Sequence, residues 1–83
     1  MTGWEVAHIG FAGDDFELNG LHIWTQKWRQ TNFPSVTLPH PAYPNQMHAY
    51  EIWEIGASEQ PVRFAAAELS NGVWGIYVPD QAG

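Results

Sequence analysis

The chain contains no cysteine. That excludes a disulfide framework and thiol chemistry, and with them the usual way a small secreted domain is stapled. Positive charge is almost as scarce: Lys27, Arg29 and Arg63 stand against nine acidic residues, for a net charge of −6. Nucleic-acid binding draws its affinity from a basic face that displaces phosphate counterions, so this balance argues against it, and against anionic membranes for the same reason. No segment reaches the ~20 consecutive apolar residues of a membrane span. Residues 1–10, MTGWEVAHIG, carry neither the basic start nor the apolar run of a secretory leader. The expectation is a soluble cytoplasmic protein with no membrane and no nucleic-acid partner, whose acidic surface suits a basic partner.

Aromatics are plentiful: five Trp, three Tyr and four Phe in 83 residues. A chain of this length has room for one domain, spanning 1–83, and buries a limited share of its unfolded surface. Each buried aromatic removes roughly 150–250 Å² from water, so the core is expected to rest on rings more than on the few leucines.

Residues 4–11 (WEVAHIGF) alternate and predict a strand, with Trp4, Val6 and His8 on one face and Glu5, Ala7 and Ile9 on the other. Asn19-Gly20 between two alternating runs predicts a type I′ hairpin, since both turn residues need φ > 0. That register sets Leu18 against Leu21 and Phe16 against Ile23, all on one side. The competing calcium-loop pattern, beginning Asp15-x-Glu17-x-Asn19-Gly20, fails because Gln26 stands where the closing bidentate Glu belongs.

Residues 31–45 hold Pro34, Pro39, Pro41 and Pro44 and predict a proline-rich crossover loop, with Tyr43-Pro44 open to a cis bond. Loops this long are often functional. The chain then enters residues 47–55 (MHAYEIWEI), apolar on both faces as an interior strand should be. Residues 58–72 read either as a helix, capped by Ser58 and stopped by Gly72, or as a strand ending in a second I′ turn at Asn71-Gly72. The strand gives the better register: Leu69 meets Trp74, Ala67 meets Ile76 and Ala65 meets Val78, while Ile55 meets Val62, Glu54 meets Arg63, Ile52 meets Ala65 and Tyr50 meets Ala67. The final residues, PDQAG, are expected to be loose. The predicted fold is all-β: one antiparallel meander of five or six strands, as a curled sheet or a small SH3-like barrel. No motif of a known family accompanies it.

In this register His48, Tyr50, Ile52, Ala65, Ala67, Leu69, Trp74, Ile76 and Val78 form the core face. Met47, Glu51, Trp53, Phe64, Glu68 and Tyr77 form the other, where three rings offer a binding platform unless the first hairpin or the proline loop covers them. His40 and Tyr43 in the loop, Glu51 and Trp53 beneath it, and Phe64 and Tyr77 alongside make the candidate binding set. His40 and His48 are the only weak metal candidates. Glu51 lies three positions from His48, which puts the two on opposite faces of a strand, and no spacing matches a ligand motif. Acid–base catalysis would fall to Glu51 with Tyr43, His40 and His48, but no nucleophile motif and no phosphate-cradling glycine run supports an enzyme. The expectation is a non-catalytic protein-interaction module without a cofactor, binding another protein or itself. The alternative is a small-ligand or metal-dependent protein using the 40–53 junction.

Overall fold

The alternating run at the start of the chain forms β1 (Trp4–Phe11) in a computed structural model that describes residues 3–80. Asn19 (φ 51°) and Gly20 (φ 81°) both take the left-handed conformation, so the predicted type I′ turn joins β2 (Glu17–Leu18) to β3 (Leu21–His22), with Leu18 opposite Leu21. The hairpin stops there. A single 3-10 turn, Ile23–Thr25, follows instead of further strand and leads to β4 (Arg29–Gln30).

The proline-rich segment is not loop throughout. Val36–Pro39 form β5, which pairs with β6 (Met47–Ile55) from Val36 opposite Tyr50 to Pro39 opposite Met47. Proline is tolerated because β5 is an edge strand and Pro39 is its last residue. Residues 40–46 close the hairpin through His40 N–H to Gln46 C=O (2.7 Å), Tyr43 N–H to His40 C=O (3.2 Å) and Gln46 N–H to Tyr43 C=O (2.9 Å). No peptide bond among the described residues is cis, so Tyr43-Pro44 is trans.

Residues 58–72 follow the strand alternative. β7 (Val62–Ser70) lies beside β6 in the expected register, with Ile55 opposite Val62, Glu54 opposite Arg63, Ile52 opposite Ala65 and Trp53 opposite Phe64. β8 (Val73–Pro79) completes the order β1-β8-β7-β6-β4, with β5 also on β6. All pairings are antiparallel, and the six-stranded sheet does not close into a barrel. Pro79 ends β8 and the N–H of Asp80 donates to Gly3 C=O (2.8 Å). The rest of the tail that was expected to be loose, 81–83, lies outside the described residues.

Two predicted registers are corrected. The β7–β8 turn has Ser70 opposite Val73, as a two-residue loop requires, but only Gly72 takes a left-handed φ (79°) and Asn71 does not. The turn is therefore not type I′, and a bulge at Leu69 shifts the ladder: Glu68 now meets Trp74, Ala66 meets Ile76 and Ala65 meets Tyr77. One inserted residue exchanges the faces of the whole partner strand. Trp74, Ile76 and Val78 leave the predicted core face and Tyr77 joins it. A similar irregularity at Ala7 in β1 turns His8 away from the face of Trp4 and Val6.

The sheet therefore has a tyrosine face and a tryptophan face. On the first, Leu38, Tyr50, Ile52, Ala65 and Tyr77 are buried together. The hydroxyls of Tyr50 and Tyr77 both donate to Pro39 C=O, at 3.0 and 2.8 Å, which draws the proline hairpin over this face. On the second, Ile23, Ile55, Phe64, Ala66 and Ile76 are buried beneath Phe16, Leu18, Leu21, Trp24 and Trp28. The first hairpin and the segment after it, up to Trp28, thus form a second layer over the tryptophan face. Trp28 is its centre: its ring lies 5.0 Å from Trp24, 5.7 Å from Trp53, 4.8 Å from Phe64 and 5.8 Å from Trp74, and its indole N–H donates to Ile23 C=O (2.7 Å). Edge-to-face and tilted ring pairs of this kind add roughly 0.5–1.5 kcal/mol each beyond their buried area.

Candidate functional site

The sheet separates the residues that the sequence groups together. His40 and Tyr43 sit on the loop above the tyrosine face, with ring centroids 4.8 Å apart. Glu51 and Trp53 project from the tryptophan face, on the far side of β6. Phe64 is fully buried under Trp28, and Tyr77 is buried with its hydroxyl on Pro39. Neither offers a ring to a ligand. Covering by the first hairpin accounts for Phe64; the Leu69 bulge, which changes the side to which Tyr77 points, accounts for Tyr77.

The histidine pair is closer than its sequence positions suggest, with ring centroids 5.8 Å apart. His40 Nδ1 already accepts the Ala42 N–H at 3.0 Å, which leaves one ring nitrogen for any other partner. Among the described residues no three His, Cys, Asp or Glu side chains converge in an arrangement that could hold a metal. The fold alters the ionisation of the Tyr50 and Tyr77 hydroxyls. Burial, reinforced by the neighbouring Tyr77, pushes the Tyr50 hydroxyl up to about 12, and burial also raises that of Tyr77.

Two of the open hollows on the surface are walled by tryptophan. One, of about 370 Å³, lies at the lower end of the tyrosine face between Trp4, Phe33, Pro34, Val36, Ile52 and Arg63. Its one charge is satisfied internally: the Arg63 guanidinium donates to Glu54 Oε2 at 2.9 and 3.2 Å and lies 4.4 Å from the centre of the Phe33 ring. The other, of about 260 Å³, opens on the tryptophan face beyond the reach of the first hairpin. Glu51 and Glu68 flank it, Trp53 and Trp74 wall it, and Ala49 and Ala66 leave the room. Glu68 is held in place by the N–H of Gly72, which donates to its Oε2 at 3.0 Å.

This second hollow keeps two members of the sequence-derived set, Glu51 and Trp53, and adds Glu68 and Trp74. Glu68 shares the predicted face of Glu51. Trp74 arrives only through the bulge, and no pattern in the sequence marks a bulge at Leu69. Among the described residues no helix is long and apolar enough to cross a membrane. No protein-family model, no curated protein and no solved structure matches this chain.

Proposed function

We propose that the protein is a non-catalytic interaction module that accepts a basic side chain of a protein partner in the hollow between Glu51, Glu68, Trp53 and Trp74. The supporting observation is the lining itself: two carboxylates and two indole walls with no Lys or Arg among them. A lysine or arginine entering there meets two carboxylates and two indole rings. Cation–π attraction is worth roughly 0.5–1 kcal/mol at an exposed site and about 2 when desolvated. The net charge of −6 acts in the same direction at longer range, raising the encounter rate of a basic partner and disfavouring nucleic acid. The absence of cysteine suits a reducing compartment, and a cytoplasmic setting belongs to the same reading.

The test is a titration of arginine- and lysine-containing peptides, with a glutamate-substituted control, followed by the indole N–H resonances. Basic peptides should shift the signals of Trp53 and Trp74 and leave Trp4 still, with affinity falling as salt rises. Glu51→Gln with Glu68→Gln should weaken binding several-fold without loss of fold. Equal response to the acidic control, or shifts centred on Trp4, would sink the reading.

A further inference from the structure

Among the described residues β1 forms one edge of the sheet, since β8 pairs with it on one side and no strand follows it on the other. Natural edges are usually blunted by lysine, proline or inward charge. β1 has no lysine and no proline, and its one formally charged residue is Glu5, near its start; what interrupts the edge is the bulge at Ala7. Val6, Ile9 and Phe11 are instead 50%, 39% and 63% exposed.

The irregularity at Ala7 gives this edge a symmetry. Val6 lies opposite Tyr77 and Ile9 opposite Gly75, so both share the tyrosine face, where Trp4 also packs. Ala7 packs into the tryptophan-face core, and His8 stacks on Phe16 there at 4.5 Å. Gly10 lies opposite Trp74 on that same face. From Trp4 to Phe11 the faces therefore read tyrosine, tryptophan, tyrosine, tryptophan, then tryptophan, tyrosine, tryptophan, tyrosine. The pattern is a palindrome centred between Ala7 and His8. A regular strand of even length cannot have this property, because strict alternation gives its two ends opposite faces.

The backbone obeys the same symmetry. Gly3 C=O accepts from Asp80 and Ala12 N–H donates to Gly72, so both residues turn toward β8. They are an odd number of positions apart, which requires one break in alternation between them. Phe11 turns outward: its N–H donates to Asp14 Oδ2 (2.8 Å) and its C=O accepts the Asp14 N–H (3.0 Å). Val6 and Ile9 fall in the same outward phase, and their outward backbone groups stand at the sheet's open edge.

We infer that β1 pairs antiparallel with β1 of a second copy of this chain, about a two-fold axis between Ala7 and His8. In that register Val6 lies opposite the partner's Ile9, and Ile9 opposite the partner's Val6. Both positions direct backbone groups across the interface, and the exposed apolar side chains of the two copies meet on one face. Shifting the register by one residue either way sets tyrosine-face positions against tryptophan-face positions along the strand. Glu5 comes opposite the partner's Gly10, whose open side is filled by the Asp14 carboxylate, close to where a Cβ would stand. This like-charge approach limits the affinity, so added salt strengthens the dimer. The Glu51–Glu68 hollow lies across β6, β7 and β8 and stays open, so the pairing does not depend on the reading proposed above.

The native chain has no thiol, which makes cross-linking clean. Val6→Cys and Ile9→Cys proteins are mixed in equal amounts and oxidised. Mixed dimers should predominate: like positions lie about 10 Å apart along the strands, beyond disulfide reach. In parallel, sedimentation of the native chain should show a concentration-dependent monomer–dimer equilibrium. Val6→Lys should abolish it with an unchanged near-ultraviolet dichroism spectrum, and Glu5→Gln should strengthen it several-fold. A native chain that stays monomeric at every concentration, or like-with-like cross-links in excess, would overturn the inference.

Discussion

Tyr50 and Tyr77 share a single acceptor. Their hydroxyls converge on Pro39 C=O at 3.0 and 2.8 Å, with the rings edge-on at 5.1 Å. One carbonyl at the end of an edge strand thus fixes the proline hairpin to two interior strands. Each hydrogen bond contributes about 1 kcal/mol net. Both depend on the hydroxyls remaining protonated.

Stability should therefore fall in alkali. Burial raises Tyr50 to about 12 and raises Tyr77 above the ordinary value near 10. Above about pH 10 the unfolded chain loses these protons before the folded one, so the folded state binds more protons and stability declines with pH. The contribution is complete below about pH 10 and is lost as pH rises through about 12. Urea unfolding of the native chain and of Tyr50→Phe from pH 7 to pH 11 checks this. The variant should begin weaker by about 1 kcal/mol and lose less across the range; parallel curves would contradict it.

Trp28 should be the costliest single ring to remove. It packs against Trp24, Trp53, Phe64 and Trp74 at once. Trp28→Ala should cost about 3–5 kcal/mol, a large fraction of what a domain this small possesses. Trp28→Phe should retain much of that. Denaturation midpoints give the order, and a cost for Trp28→Ala under 1 kcal/mol would remove Trp28 from the centre of the layer.

Gly75 lies where the proline loop comes over the sheet. A Cβ there would stand 2.9 Å from Leu69 Cδ1, 3.3 Å from the Tyr50 hydroxyl and 3.4 Å from Pro41 Cγ. Gly75→Ala should destabilise by roughly 1–3 kcal/mol through overpacking. It should also speed amide exchange at His40 and Gln46, the residues that close the 40–46 loop. Unchanged exchange there would mean the loop is held independently of the sheet.

The Arg63–Glu54 pair should matter little. It spans two strands at 2.9 Å with Arg63 exposed on the surface. Glu54→Gln should change stability by no more than about 1 kcal/mol, with the difference vanishing in high salt. A loss above 2 kcal/mol, unaffected by salt, would point to a buried role for the pair.

Much of the β6–β7 hairpin was legible because several constraints agreed: Ile55 with Val62, Glu54 with Arg63 and Ile52 with Ala65 satisfy apolar match and charge together. Asn19-Gly20 was legible for a local reason, since both φ angles are written into the residue types. Asn71-Gly72 looked the same and was not, because Asn71 is free to take a negative φ. The bulge at Leu69 then moved Trp74 and Tyr77 to faces that alternation does not give. The candidate site is the least legible part, since residues adjacent in sequence part to opposite sides of a strand. Glu51 and His40 are close along the chain and lie on opposite sides of one sheet. Trp24 and Trp28 cover the tryptophan face from the 3-10 turn and the residues after it, where no alternation marks which side a ring takes.

The division of the sheet into two faces also divides the light the molecule absorbs and emits. Trp24, Trp28, Trp53 and Trp74 sit ring to ring on one side, while Trp4 packs on the other with the tyrosines. Four neighbouring indoles should exchange excitation and couple in near-ultraviolet dichroism, whereas Trp4 lies on the opposite face. The two layers therefore carry separate optical signals. Events under the proline hairpin register in Trp4 fluorescence, and loosening of the first hairpin registers in the coupled dichroism of the other four.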